Sequence, residues 1–220
     1  MSTQQIINLL LVGFGETLLI TIVSSLLAYI FGLPLGVLLH VTSAQGLKPL
    51  PLANRILGAV VNFVRSIPFL ILMIWIVPFT RLVVNTSIGI KGVIVPLIIS
   101  ATPFVARMVE SSLQEVQGGV IEAARSMGAT NWQIITKVLL PESKHSLLLG
   151  SAIAVTTILG YSAYAGFCGG GGLGAIAFNY GYKRYDDQLM FLTVILIAVI
   201  LQVIQECGLR LAHKFDHRKK

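Results

Sequence analysis

Residues 122–142 read EAARSMGATNWQIITKVLLPE, the most polar long stretch of a chain whose other long stretches are mostly apolar. The 220 residues are 55% hydrophobic and only 11% charged, and the mean hydropathy is +0.84. A soluble domain usually carries about 25% charged residues. The shortage of charge, together with apolar runs of about 20 residues, predicts a membrane protein in which the quoted stretch leaves the bilayer.

Five apolar runs surround this stretch, and they predict an all-α membrane protein with five transmembrane helices in one domain, residues 1–220. The second and third runs have charge-free cores of only 15 residues, whereas a helical span needs about 20. These two runs contain Pro68, Pro78, Pro96 and Pro103. Because proline removes a helical hydrogen bond, we expect bent interior helices there. The predicted spans are about 14–41, 60–82, 90–110, 146–168 and 187–207.

The basic residues predict how the chain is oriented. If the five runs cross the membrane, 12 of the 16 Lys and Arg residues fall on the side that holds segment 111–145 and the C-terminus. Because Lys and Arg concentrate in cytoplasmic loops, we expect the N-terminus outside and the C-terminus in the cytoplasm. The tail HKFDHRKK then lies near anionic lipid, which accounts for the net charge of +7 without a nucleic-acid partner.

The quoted stretch carries the local signals of two helices joined by a tight turn. Gly128 stands where a helix C-terminus favours a left-handed residue. Thr130 and Gln133 form a capping-box pattern, which predicts that a second helix begins near residue 131. Arg125 follows Glu122 by three residues, a spacing at which the two side chains can pair. One helical face is expected to be apolar, with Val109, Leu113, Val116, Val120, Ala124 and Met127 along it.

The connection 111–145 is the longest in the chain, and it is predicted to face the cytoplasm, where it can meet a partner. The residue types leave two alternatives open. The small residues Ala123, Ala124 and Ser126, flanked by charge, suit docking into a groove of another protein. An interfacial helix pair that lies on the lipid headgroups has a similar composition.

The fourth run, SLLLGSAIAVTTILGYSAYAG (146–166), is rich in small and hydroxyl-bearing residues. Small residues let membrane helices approach closely. We interpret the run as a helix that lines the axis between two copies and gates a path; plain helix packing is the alternative. The candidate gate residues are Thr157, Tyr161, Ser162 and Tyr164. No run has an acidic residue in its core, which argues against a carrier driven by protons or sodium.

The remaining motifs do not indicate other chemistry. The glycine-rich CGGGGLG (168–174) lacks the Lys-Ser or Lys-Thr of a phosphate loop, so it predicts a flexible or closely packed turn. Cys168 and Cys207 should lie at opposite membrane faces, which argues against a disulfide, and no metal-ligand spacing is present. No Ser/His/Asp, Cys/His or HExxH set occurs, so we predict no catalytic residue, metal or cofactor.

Residues 122–141 resemble a known signature: E-A-A, three residues, G, nine residues, I-x-L-P. The only departure is Val138 in place of Ile. The signature is typical of the permease subunits of bacterial ATP-binding-cassette (ABC) importers, whose coupling helix sits in a cleft of the cytoplasmic ATPase subunit. This resemblance implies that the ATPase-coupling residues are Glu122, Ala123, Ala124, Arg125, Met127, Gly128, Ala129 and Pro141.

Four further segments, 65–81, 85–89, 103–110 and 170–182, resemble the methionine-uptake permeases of this superfamily. The resemblance implies a type I importer permease fold and a homodimer in the bacterial inner membrane. It also implies two ATPase subunits, an extracytoplasmic substrate-binding lipoprotein and surrounding lipid as partners, with a small molecule as substrate. Since ATP hydrolysis then belongs to the ATPase, the chain itself is not an enzyme. Asn85, where glycine is expected, and the pair 167–168 depart from the pattern.

Three rival functions remain. The first is an ABC importer permease for another small solute, such as another amino acid, an osmolyte or a phosphonate. The second is a stand-alone channel or carrier, which the coupling signature and the missing intramembrane acid disfavour. The third is a membrane-embedded enzyme, which the missing catalytic sets disfavour.

Overall fold

A computed structural model of the chain describes residues 2–214, apart from the side chain of Cys168. Within that range every regular element is helical. Residues 215–220, most of the basic tail, lie outside the described residues. In chain order the α-helices are α1 (Thr3–Thr42), α2 (Pro51–Ser66), α3 (Phe69–Trp75), α4 (Val77–Val84), α5 (Gly89–Gln114), α6 (Gly118–Ser126), α7 (Asn131–Ile134), α8 (Leu140–Glu142), α9 (Lys144–Ser162), α10 (Gly172–Ile176) and α11 (Asp187–Lys214).

Shorter helical segments of other types continue some of these helices. A π-helical segment, Ile135–Leu139, joins α7 to α8. A 3₁₀ segment, Ala163–Cys168, extends α9, and a second π-helical segment, Ala177–Tyr182, extends α10. Residues 169–171 interrupt the stretch Lys144–Tyr182, and α10 packs back against the 3₁₀ segment, since a Cβ atom on Gly166 would lie 2.7 Å from the carbonyl oxygen of Gly174.

Among residues 2–214, four helical stretches are long and apolar enough to cross a membrane: α1, α5, Lys144–Tyr182 and α11. A fifth results if α2 and α3, which meet at a bend of 99°, count as one span. The five predicted spans therefore remain a prediction. α1 also begins at Thr3, well before the predicted start near residue 14, because Ser2 and Gln5 form a capping box there.

The predicted span over 60–82 stays a prediction, and the structure divides this region among α2, α3 and α4. Pro68 is the residue immediately before α3, and Pro78 lies in the first turn of α4. Proline has no N–H to donate to the preceding helix, and it pushes the residue before it out of the helical region. Each proline therefore starts a new helix. Pro96 and Pro103, by contrast, lie inside the single helix α5.

The centre of the fold is the pair α1 and α5, which pack closely along their lengths. Gly32 and Gly36 of α1 make this possible. A Cβ atom on Gly36 would lie 2.5 Å from the carbonyl oxygen of Ala106, and one on Gly32 would lie 2.9 Å from that of Thr102. α9 contacts α1, α5 and also α11, so the fourth run packs against the three other long helices.

The glycine-rich segment folds back onto α1. The backbone N–H of Gly172 donates to Glu16 Oε2 at 2.6 Å, and the N–H of Leu173 donates to Thr17 Oγ1 at 2.9 Å. Gly172 has a φ of 87°, and a Cβ atom on Gly171 would collide with the Glu16 carboxylate. The closely packed turn, one of the two forms expected for this segment, is therefore confirmed.

The two ends of the helical bundle are easily told apart. The N–H of Gly89, at the start of α5, donates to the carbonyl oxygen of Gly169 at 3.0 Å. We call this the glycine end. The other end of α5 leads through residues 115–117 into α6 and α7, and we call it the hairpin end.

Candidate functional site

The hairpin is formed by α6, the turn at Gly128 and α7. Gly128 has a φ of 81°, in the left-handed region that glycine adopts without strain. Its N–H donates to Arg125 O at 2.9 Å, which closes the end of α6. The Thr130 side chain accepts from the N–H of Gln133, and the Gln133 side chain accepts from the N–H of Thr130, so α7 begins at Asn131. The predicted helix, glycine turn, helix is confirmed.

The residues assigned to coupling divide into a buried anchor and an exposed surface. Ala124 is 4% exposed and packs into the core at the hairpin end, together with Ile134 and Leu139. Ala129 is half-buried against the same core. The hairpin is therefore fixed to the bundle by its own apolar side. The other coupling residues are exposed: Glu122, Ala123, Arg125, Met127, Gly128 and Pro141.

The predicted apolar stripe is only partly correct. Val109, Leu113 and Ala124 are buried, whereas Val120 is 38% exposed and Met127 is 82% exposed. The helix breaks after Gln114, and α6 starts in a new direction, so the period does not continue across the break. Met127 and the neighbouring Trp132, which is 72% exposed, add apolar side chains to the exposed surface of the hairpin.

The predicted ion pair between Glu122 and Arg125 is wrong. Arg125 Nη2 instead donates to the carbonyl oxygen of Leu47 at 3.1 Å. Leu47 belongs to the connection between α1 and α2, and it is buried in the same core as Ala124. This contact joins positions 78 residues apart, and no local spacing in the sequence signals it.

The four candidate gate residues do not form one polar cluster. Thr157 Oγ1 donates to Ile153 O at 2.8 Å, and Ser162 Oγ donates to Leu159 O at 2.7 Å. Both hydroxyls therefore satisfy the backbone of their own helix, and Ser162 is buried. Tyr161 stacks on Phe69 of α3, with the ring centroids 4.8 Å apart and the planes 5° apart.

Tyr164 belongs to a row of aromatic rings that leads toward the glycine end. Its ring centroid lies 6.3 Å from that of Phe69 and 6.3 Å from that of Phe167. Phe167 in turn lies 4.2 Å from Phe178. The row borders an apolar cavity of about 590 Å³ between α9, α10 and α11, which Tyr164, Phe167 and Phe178 line. The sequence indicated Tyr161 and Tyr164 as candidate gate residues, but it did not indicate the phenylalanines. Phe69, Phe167 and Phe178 lie on three separate elements, so no local pattern groups them.

Arg65 lies in α2, beside a neighbouring helix. Its guanidinium carbon lies 5.8 Å from the ring centroid of Phe104 in α5. Arg107 Nη2 donates to Gly58 O at 3.1 Å and holds α2 against α5 on the hairpin side of this contact. The charge count treated Arg65 as part of a loop, together with Lys48; the structure places it in a helix that packs on a span.

Three comparisons relate this geometry to known proteins. A family model described as "Binding-protein-dependent transport system inner membrane component" matches residues 28–220. The chain is 50% identical to a probable D-methionine transport system permease protein MetI of Vibrio cholerae, over 96% of this chain and 94% of that protein. It is 49% identical to the D-methionine transport system permease protein MetI of Escherichia coli K12, over 72% of this chain and 73% of that protein.

The fold is also similar to solved structures. An inward-facing structure of the MetNI methionine ABC transporter contains a chain that matches with a TM-score of 0.96 and 44% identity, over 99% of this chain and 100% of that one. A crystal structure of an amino acid ABC transporter with histidines matches with a TM-score of 0.73 at 23% identity, which supports the fold alone. The predicted all-α, type I importer permease fold is confirmed, and the chain belongs to the family of binding-protein-dependent transport system inner membrane components.

Proposed function

We propose that the chain is the transmembrane permease subunit of an ATP-driven methionine importer in a bacterial inner membrane. The observation that carries the proposal is the near full-length similarity to D-methionine permeases, at 50% identity over 96% of the chain. The exposed hairpin with the E-A-A signature supports it independently. The chain contributes the pathway, and ATP hydrolysis belongs to a separate subunit.

Two copies of the chain form the translocation pathway, and two cytoplasmic ATPase subunits dock on the two hairpins. ATP binding brings the ATPases together, the hairpins follow, and the pathway opens outward to accept substrate. Hydrolysis and product release return it to the inward-facing state. This cycle is alternating access by rigid-body movement of packed elements.

Burial of the hairpin favours docking over the alternative of a helix pair lying on the headgroups. An interfacial helix places its apolar face against lipid. Here Ala124, Ile134 and Leu139 already pack into the core of the protein. What remains exposed is a mixed surface of Glu122, Arg125 and small or apolar residues, which suits a groove on another protein.

The glycine end provides the surface for an extracytoplasmic substrate-binding protein. Tyr182 is 64% exposed and Tyr185 is 86% exposed. Lys183 Nζ lies 4.7 Å from the ring centroid of Phe178 and Arg184 Cζ lies 4.5 Å from that of Tyr180. Exposed aromatic and arginine side chains are enriched at protein interfaces. The orientation that follows has the N-terminus outside and the hairpin in the cytoplasm, with lipid around the apolar helices.

Glu122→Lys tests the docking of the hairpin. Glu122 is exposed and lies in α6, so the change should leave insertion and folding intact while placing a like charge against the cleft that receives a carboxylate. We expect uptake of methionine by the assembled importer to fall about ten-fold or more, since loss of a charge-assisted contact is worth this much. Co-purification of the ATPase should weaken in parallel.

Glu142→Lys is the matched control, because Glu142 is an exposed carboxylate of the same connection and is not among the residues assigned to coupling. Its uptake should equal that of the wild type. Equal, undiminished uptake in both variants would remove the docking role from α6.

The substrate is tested separately, by uptake of both methionine enantiomers, other amino acids, betaine and a phosphonate into proteoliposomes with the cognate binding protein and ATPase. Methionine should compete with every transported compound. If betaine or the phosphonate is transported and neither methionine enantiomer is transported, the substrate is the rival solute rather than methionine. The assignment as an ABC importer permease would then still hold.

A further inference from the structure

Arg65 is a cation of α2 that lies beside the long apolar helix α5, near the depth of the Arg107–Glu110 pair. Its guanidinium lies beside Phe104, which is ten residues before the end of α5 at Gln114. Ten residues of α-helix span about 15 Å, and the 15 residues back to Gly89 span about 22 Å. Since the hydrocarbon core is about 30 Å thick, a helix of this length centred in it places Phe104 and its neighbour inside the core on the hairpin side, one turn from the Arg107–Glu110 pair.

The chain offers no carboxylate to this guanidinium among residues 2–214. Glu110 binds Arg107 at 2.6 Å, and Glu206 binds Arg210 at 2.8 Å. Glu16 accepts from the N–H of Gly172 at the glycine end. The other carboxylates of the described residues lie in connections or at helix ends: Glu115, Glu122, Glu142, Asp186 and Asp187. A second copy of the chain has the same carboxylates at the same depths, so it cannot supply the missing anion either.

Arg65 is nevertheless exposed on the chain. A charged side chain that faces lipid at this depth is costly, and such residues almost always face a water-filled cavity or the interior of an assembly. Arginine suits a carboxylate in that setting, because its planar fork donates two parallel hydrogen bonds and stays ionised.

We propose that Arg65 binds the α-carboxylate of the transported amino acid partway along the pathway. This inference rests on the proposed function. The surroundings fit the rest of such a substrate. Phe69, four residues further along the chain, begins the aromatic row through Tyr161 and Tyr164 toward the glycine end. Aromatic rings make favourable contacts with a thioether, so the row can pass an apolar side chain while Arg65 receives its carboxylate.

The first test is uptake of methionine at saturating binding protein and ATP in proteoliposomes. Arg65→Gln should lower uptake about ten-fold or more, because a charge-assisted contact to the substrate is lost. Arg65→Lys should recover part of it, because the charge remains but the paired hydrogen bonds do not. Arg55→Gln is the matched control, since it removes the same residue from the opposite end of α2, and it should transport like the wild type. Equal loss in both Arg65 variants, or no loss in Arg65→Gln, would overturn the proposal.

The second test measures contact directly and separates a substrate site from a lipid-headgroup anchor. Asn62→Cys, one turn before Arg65 on α2 and exposed, in a chain with Cys168→Ser and Cys207→Ser, should react with a charged methanethiosulfonate reagent, and methionine turnover should slow that reaction severalfold because Arg65 is retained. Arg55→Cys should show no protection by methionine. A cysteine at 62 that does not react faces lipid, and a reactive one that methionine leaves unprotected faces water away from bound substrate; either result refutes the inference. Wild-type methionine uptake, measured alongside, tests the proposed function independently.

Discussion

The shape of the hairpin depends on Gly128. Glycine is required there because of the backbone conformation and not because of steric contacts. A Cβ atom at this position would have no neighbour within 4 Å, but φ is 81°. The left-handed region costs a non-glycine residue about 1–2 kcal/mol. Asn85 shows the same principle at the other end of the bundle. It replaces an expected glycine, adopts a φ of 59° and ends α4, since asparagine tolerates this region better than most residues.

Gly128→Ala should therefore weaken ATPase docking without creating a steric clash. A conformational cost of about 1–2 kcal/mol corresponds to a loss of affinity of about five- to thirty-fold. Gly119→Ala is the control, because Gly119 is exposed and also has no neighbour near its Cβ position, but it is not among the residues with positive φ. The affinity of the permease in nanodiscs for the ATPase subunit measures both. Indistinguishable affinities for the two variants would contradict the role of the turn.

Local chemistry also explains which residues of the site could be predicted from the sequence. Gly128, Thr130 and Gln133 act within a few residues of one another, so their spacing determines the turn and the cap. Arg125 donates a hydrogen bond to Leu47, and Tyr161 stacks on Phe69, so each contact joins two separate parts of the fold. Those partners depend on how the helices pack, and a single sequence does not contain that information.

At the scale of helices, hydropathy predicts the apolar segments better than it predicts where they bend. A run of apolar residues over 66–80 reads as one span, yet Pro68 and Pro78 divide it, and α2 meets α3 at 99°. Hydropathy is averaged over many residues, so it detects an apolar run but does not detect a helix break at a single proline. Glycines are equally hard to interpret from the sequence alone. Gly15 has open space beside it, whereas Gly36 lies against the backbone of α5.

Gly36→Ala should destabilise the pair α1 and α5. The new methyl group would lie 2.5 Å from the carbonyl oxygen of Ala106, so the backbones must separate. Overpacking of this kind costs about 1–3 kcal/mol. Gly15→Ala, in the same helix, should be neutral or slightly stabilising, because alanine favours the helix and meets no neighbour. Thermal unfolding of both variants in detergent measures the difference, and equal melting temperatures would show that α1 and α5 can separate freely.

For the molecule as a whole, the charge distribution predicts how the chain is oriented in the membrane. The hairpin end holds most of the basic residues that the sequence places in connections, so we expect this end to lie in the cytoplasm. Several of the counted cations, among them Arg55, Arg65 and Arg107, lie in helices rather than in connections. Leaving Arg65 out still gives 11 Lys and Arg residues on the hairpin side against 4 on the other, so the expected orientation is unchanged.

Cysteine labelling tests that orientation in intact cells. In the chain that lacks Cys168 and Cys207, Lys183→Cys at the glycine end should react with a membrane-impermeant maleimide added outside. Lys137→Cys at the hairpin end should react only after the membrane is opened. Both positions are exposed, so accessibility within the protein does not bias the comparison. The reverse pattern would invert the topology and place the hairpin outside the cell.

The hydrogen bond from Arg125 to Leu47 has a mechanical consequence. α6 is tied covalently to α5 through residues 115–117, and the Arg125 contact ties it a second time to the connection between α1 and α2. A helix attached at one point can rotate about that point when a force is applied, whereas attachment at two points restricts this rotation, so the force is transmitted along a defined direction. If a partner subunit displaces α6, as proposed, the displacement is expected to reach α1 and α5 together. Those two helices are in close contact at Gly32 and Gly36, so we expect them to move as one rigid unit.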